Sequence, residues 1–246
     1  NRAVMQVTVI IPALNEAGNI HRLTREIPRA FSFDVTLTVI VVDNGSTDRT
    51  GDEARAAGAQ VVTEPRRGYG YACNAGVSAA QDADVIVFMD GDGSFDPAEM
   101  VGLLQPIVDG RADLVLGSRA QHIELGAMPS HQRFGNRLVS ALMRLLYRLP
   151  ITDLAPYRAI RRDRLLTLDM REMTYGYPTE MLVKAARSGT RIVEIPVQYR
   201  KRWSGKSKVS GTIRGTLLAT YYILGVTLRY AFAPATRVQA TSNKNE

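Results

Sequence analysis

The first half of the chain alternates short apolar, β-branched runs with longer stretches of helical periodicity, and few folds accept that order. Residues 7–11, 37–42, 60–63, 85–89 and 113–117 read as strands. Residues 16–31, 48–57, 70–80 and 96–109 read as helices, the first capped by Asn15 and the second closed by Gly58. The strands are continuous apolar runs, so both of their faces must be covered. Right-handed crossovers through the helices then bring every strand C-terminus to one edge, where ligands of such sheets bind. The expected class is α/β, a mostly parallel sheet with helices on both faces.

The pattern changes after Gly117. Residues 119–131 read as a flexible loop, 133–147 as an amphipathic helix, 179–187 as another helix and 191–198 as a strand. A basic Gly/Ser loop follows at 201–210, then a long apolar-rich helix at 212–232 and a polar tail. The expected division is a catalytic domain at 1–211, an amphipathic interfacial helix at 212–233 and a tail at 234–246. The longest uncharged apolar-rich run, 215–228, is shorter than the ~20 residues needed to span a bilayer. That helix is expected to lie on a membrane surface or to pack on protein. A single cysteine, Cys73, excludes a disulfide framework and a cysteine-based zinc site. A net charge of +7 calls for an anionic partner. Few aromatics interleave the basic loops and no nucleic-acid motif is present, so nucleic acid is not that partner.

Three acidic loops fall directly after predicted strands: Pro12 to Glu16, Asp43 to Asp48, and Asp90 to Ser94. Strand-end carboxylates can accept hydrogen bonds from a nucleobase N–H or from ribose hydroxyls. Asp90 and Asp92, one residue apart on a turn loosened by Gly91, suit a hard divalent cation such as Mg²⁺ or Mn²⁺. Alone, such a pair is more often an acidic surface turn; after an apolar strand and beside two other acidic loops it reads as a site. Arg67 and Gly68 precede a helix whose first amides could hold phosphate. The Gly68-x-Gly70-x-x-Cys73 spacing lacks the third glycine of a dinucleotide fingerprint. His21, His122 and His131 have no metal-like spacing, and no phosphate-binding GxxxxGK[ST] or nucleophilic GxSxG occurs.

VTVIIPALNEAGNI, VIVVDNGSTDRT, RRGYGYACNAG and VIVFMDGDGSFDP, in this order, resemble the family 2 inverting glycosyltransferases. Within them the chain resembles the dolichol- or polyprenyl-phosphate hexose synthases over about residues 5–210. The resemblance implies a GT-A fold, a UDP- or GDP-sugar donor and Mg²⁺ or Mn²⁺. It implies that Pro12, Asn15, Glu16 and Asp43 hold base and ribose, that Asp90 lies near the nucleotide, and that Asp92 binds metal. The Asp153 to Arg162 stretch resembles the subgroup's acceptor region, and Arg202, Gly205, Ser207 and Lys208 match its R-x-x-G-x-S-K loop over the donor diphosphate. The mannose synthases usually carry Asp-Ala-Asp-Leu-Gln; here Gly93 and Ser94 replace the last two positions, which leaves glucose and mannose both open.

A lipid monophosphate acceptor is already anionic and needs cations rather than a base; Arg133, Arg137, Arg158, Arg202 and Lys208 are the candidates. An alcohol acceptor would need a base, for which Glu180 is the candidate; with a phosphate acceptor Glu180 would instead fix an arginine. The expected setting is the cytoplasmic surface of a membrane, with self-association left open. The competing readings are a sugar-phosphate nucleotidyltransferase, which the Pro12 to Glu16 loop disfavours, and a non-catalytic nucleotide-sugar or membrane-binding scaffold.

Overall fold

A computed structural model of the protein describes residues 4–27, 31, 33–205, 207 and 212–232. The predicted tail and Lys208 lie outside these residues. Four parallel strands open the fold: β1 (Met5–Ala13), β2 (Val35–Asp43), β3 (Gln60–Thr63) and β4 (Val85–Phe88). Helices α1 (Ala17–Glu26), α2 (Thr50–Ala56) and α3 (Tyr69–Ala79) connect them. A 3-10 turn at Pro97–Glu99 and α4 (Met100–Val108) lead to β5 (Leu114–Ile123). There follow α5 (Ser130–Tyr147), β6 (Arg158–Arg161), α6 (Arg162–Thr167), α7 (Tyr177–Arg187), β7 (Ile192–Tyr199) and α8 (Ile213–Ala231).

One seven-stranded sheet has the order β3-β2-β1-β4-β6-β5-β7, with β6 antiparallel to both neighbours. Both of its faces are covered. Val9 and Ile11 enter one core cluster with Leu23 and Leu103, while Ile10 between them enters the other with Cys73 and Leu182. That is why the strands read as unbroken apolar runs. The close fit of α3 to β1 depends on Gly76, where a Cβ would stand 2.4 Å from Ile10 Cγ2. The chain moves outward from β1 to β3 and then returns to β4 on the other side of β1. The loops after β1 and β4 therefore flank a topological switch point.

The structure corrects several expectations. Asn15 does not cap α1; it has φ 53°, and its Oδ1 accepts from Thr47 N at 2.8 Å. The first helix ends at Glu26. Residues 119–123 are strand, because β5 continues to pair with β7 through Ile123 across an irregularity. β6 and α6 escaped the sequence reading: β6 has only Ala159 and Ile160 between two arginines, too short a pattern to register.

Candidate functional site at the switch point

The strand-tip loops are fastened to one another by side chains. Asn15 N donates to Ser46 Oγ at 3.0 Å and Glu16 N to Thr50 Oγ1 at 2.8 Å, joining the loops after β1 and β2. Asp43 pairs across the sheet with Ala13, and its Oδ1 accepts from Ser46 N at 2.8 Å. Asn44 donates to the carbonyls of Glu64 and Arg66 (2.9 and 2.7 Å) and accepts from Gly68 N (3.0 Å), tying the loops after β2 and β3. Arg67 lies over Gly45, where a Cβ would approach its Nε to 3.3 Å. The turn after β4 presses on β1: a Cβ on Gly91 would meet Ile11 Cγ2 at 3.3 Å. Pro12 and Asp43 at strand ends, and Asn15, Glu16, Arg67, Gly68, Asp90 and Gly91 on the loops beyond them, thus come to one edge of the sheet.

Asp92 Oδ1 accepts from Ser94 N at 3.0 Å, which shapes the acidic turn. The Asp90 carboxyl is held above its ordinary range, first by burial and then by the charges of Asp92 and Glu16, with Arg119 opposing the rise. The side-chain donors of the turn are all oxygen, which fits a hard divalent cation. Among the described residues no group of three or more His, Cys, Asp or Glu side chains is arranged to hold a metal. A cation there would need further oxygens from a ligand.

The basic loop folds over this turn. Arg202 Nη2 reaches both Glu16 oxygens (2.9 and 3.0 Å), and its Nη1 is 3.6 Å from Asp92 Oδ2. Trp203 N donates to Asp92 O at 3.2 Å, and Ser204 Oγ donates to Asn19 Oδ1 at 2.9 Å. The Trp203 ring stands where a side chain at Gly93 would be, and Arg22 stacks on it at 4.1 Å.

Behind Asp90, Asp92 and Arg202 lies a cavity of about 330 Å³. Its lining also includes Arg119 and Tyr69, Gln132, Asn136, Leu138 and Val139 of α5, Leu154, and Thr216, Thr220, Ile223 and Leu224 of α8. Arg119 is the cation that the sequence reading missed. Its Nε and Nη2 each donate to Asp153 at 2.7 Å, and its guanidinium stacks on Tyr199 at 5.1 Å. Burial alone would weaken the Arg119 charge, but the Asp153 carboxylate more than offsets it.

Other expected cations fall elsewhere. Arg158 is 1% exposed and donates to the carbonyls of Pro178 (2.8 Å) and Ala155 (2.5 Å), so it is spent on the fold and does not line the cavity. Arg133 and Arg137 line a neighbouring pocket of about 220 Å³, which shares Asn136 with the cavity. Glu180 is 1% exposed and also outside the cavity lining. It accepts from Tyr230 Oη (2.6 Å) and from the backbone N–H groups of Arg171 and Glu172 (2.9 and 2.7 Å). Its partner cation is Lys184 at 2.9 Å, not an arginine side chain. Burial would raise its pKa, yet these donors hold it below the ordinary value.

Known proteins share this plan. The chain is 43% identical to an uncharacterized glycosyltransferase of Mycobacterium tuberculosis, over 87% of this chain and 94% of the relative. It is 34% identical to an undecaprenyl-phosphate mannosyltransferase of Micrococcus luteus (92% and 96% covered). It is 32% identical to a polyprenol monophosphomannose synthase of Mycolicibacterium smegmatis (86% and 83% covered). Among solved structures, glucosyl-3-phosphoglycerate synthase of Mycobacterium tuberculosis, crystallised with Mn²⁺, UDP and phosphoglyceric acid, superposes with a TM-score of 0.75 at 24% identity. That match covers 95% of this chain and 81% of the other, and the shared architecture is the GT-A fold. Residues 8–167, which run from within β1 to the end of α6 and supply the strand-tip loops described above, match glycosyl transferase family 2, and the chain belongs to that family.

Proposed function

We propose that the chain transfers a hexose, with inversion, from a UDP- or GDP-sugar to a polyprenyl phosphate at the cytoplasmic surface of a membrane. The observation that carries this reading is one cavity that holds the Asp90, Asp92, Arg119 and Arg202 cluster together with Leu138 and Val139 of α5 and Ile223 and Leu224 of α8. The charged cluster suits two phosphorylated groups, and the apolar side chains suit a hydrocarbon chain. The names of the Micrococcus and Mycolicibacterium relatives favour mannose as the sugar.

In this reading Asp43 accepts an N–H of the base, and Pro12, Asn15 and Glu16 border the ribose. Arg67 and the Gly68 amide lie toward the phosphates. Bound at Asp90 and Asp92, Mg²⁺ or Mn²⁺ supplies neutralising charge for the departing diphosphate. Arg202, aimed by Glu16, adds a second positive group on the same side. Arg119, with Arg133 and Arg137 nearby, draws the acceptor phosphate toward the donor despite their like charges. An anionic phosphate oxygen then forms its bond to the anomeric carbon as the bond to the diphosphate oxygen breaks. No base is required, because the nucleophile carries no proton to lose. The carboxylate of Glu180, enclosed by its own donors, is consistent with an acceptor that needs none.

The test is a panel of UDP- and GDP-sugars, each with polyprenyl phosphate and Mn²⁺ or Mg²⁺, followed by thin-layer separation of lipid-linked sugar. One donor should give product, and Asp92→Ala should abolish it while the protein stays folded. Transfer to a soluble alcohol but never to a lipid phosphate would overturn the acceptor. Nucleotide-sugar binding without turnover on any acceptor would favour the scaffold.

A further inference from the structure

Among the described residues no helix is long and apolar enough to cross a membrane. Two helices nevertheless carry apolar side chains that the other described residues leave exposed. On α5, Phe134, Leu138 and Leu145 are exposed, Leu145 at 76%. With Ala141 they form one stripe at about 100° per residue, opposite the buried Val139 and Met143. On α8, Leu217, Tyr221, Leu228 and Phe232 are exposed, Tyr221 at 71%, and lie opposite the buried Ala219 and Val226. The two helices pack against each other. Scattered exposed leucines are ordinary; an apolar stripe on each of two touching helices is not.

The flanking charges identify what covers them. Neither helix contains an Asp or a Glu. Arg137, Arg144 and Arg148 run along one side of the α5 stripe, and Arg214 and Arg229 border that of α8. A second copy of the chain, docking about a two-fold axis, would set one basic helix pair against an identical one, with no carboxylate on either to answer the arginines. An anionic bilayer answers both features, with apolar stripes sinking below the headgroups and arginines remaining among the phosphates.

We infer that α5 and α8 together form a docking face for an anionic membrane, in which α5 is as necessary as α8. The inference deepens the proposed function, and rests on it only in setting the chain beside a bilayer. It also gives the cavity an orientation. Leu138 of α5 and Ala219, Thr220 and Ile223 of α8 line the same cavity as Asp90 and Asp92. A lipid with its phosphate at the acidic turn would pass its chain between the two docked helices into the bilayer.

The test is co-sedimentation with phosphatidylcholine vesicles, with and without phosphatidylglycerol, read without any substrate. The wild type should bind the anionic vesicles and lose part of that binding as salt is raised. Phe134→Ser with Leu145→Ser should weaken binding at least about tenfold, as should Leu217→Ser with Tyr221→Ser. None of these four side chains lines the cavity. Both variants should therefore still turn over a short, water-soluble prenyl phosphate; if they bind vesicles weakly and do so, the proposed reaction and the docking face both stand. An α5 variant that binds as tightly as wild type overturns the two-helix face, whatever the turnover. So does a wild type that ignores vesicles and sediments as a dimer that the α5 substitutions dissociate.

Discussion

Gly93 holds two conditions at once. Its φ of +75° lies in the left-handed region, and a Cβ there would come 2.3 Å from the Trp203 ring. Where the resembling mannose synthases usually carry leucine, this chain has no side chain, and an indole from the far loop takes the space. Gly93→Ala should therefore be strained by about 1–2 kcal/mol and should also push the 202–205 loop away from Asp92. The expected result is roughly tenfold lower kcat/KM for the donor. Trp203→Ala should lower it too, and the double variant should lose less than the sum, because the clash is removed only once. Strictly additive losses would show that the ring and the glycine do not communicate. The position of the Asp90 to Asp92 turn at the tip of β4 was legible in the sequence, because a two-carboxylate turn after an apolar strand is a local pattern. Arg119 was not, since its position depends on Asp153, distant in sequence and buried beside it. The burial of Arg158 was hidden for the complementary reason: an arginine letter does not say whether its guanidinium meets solvent or backbone carbonyls.

At the level of elements, the parallel β1–β4 framework was readable from unbroken apolar runs, but the antiparallel β6 was not. Its few residues owe their conformation to β4 and β5 on either side rather than to their own pattern. Two carboxylates join elements, and each gives a test. Asp113, before β5, accepts from the guanidinium of Arg191 at 2.7 Å, and this pairing lowers its pKa from 3.8 to about 2. A depressed carboxyl contributes stability that is complete above its unfolded pKa and is lost as pH falls through the folded one. Because Arg191 is half exposed, the contribution is about 1–2 kcal/mol. Asp113→Asn should be destabilised by that amount at neutral pH, and the gap should close between about pH 4 and pH 2. A gap that persists at pH 2 would mean the asparagine acts through packing.

Glu180 separates the two acceptor chemistries through stability. It joins α7 to α8 through Tyr230 and to the 171–172 backbone. Glu180→Gln keeps the shape but leaves Lys184 without its carboxylate. The expected cost is about 1–3 kcal/mol of unfolding free energy, with turnover per folded molecule almost unchanged. A general base would behave in the opposite way, with kcat lower by a factor of about 10² to 10⁴ and thermal stability intact. Thermal unfolding and single-turnover rates on the same preparation distinguish the two outcomes.

For the whole molecule, the sequence suggested a catalytic domain ending near residue 211 with a helix appended to it. The packing favours a different division. Ile223, Leu224 and Tyr230 of α8 press on the same core cluster as Cys73, Met143 and Leu182. Tyr147 Oη donates to Thr227 O, Arg187 donates to Tyr230 O, and the α7 N-terminus at Gly176 would meet Val226 Cγ2 at 2.9 Å if it carried a Cβ. Removing residues 212–246 would expose that part of the core and leave Glu180 without Tyr230. Three partly buried side chains, each contributing a fraction of the ~1.5–3 kcal/mol of full burial, still amount to a large share of an ordinary domain's stability. The truncated chain should therefore unfold at much lower temperature, lose cooperativity and bind no nucleotide. If residues 1–211 instead melt as sharply and as high as the full chain, α8 is an attached anchor, and its burial against α5 and α7 contributes nothing to the fold.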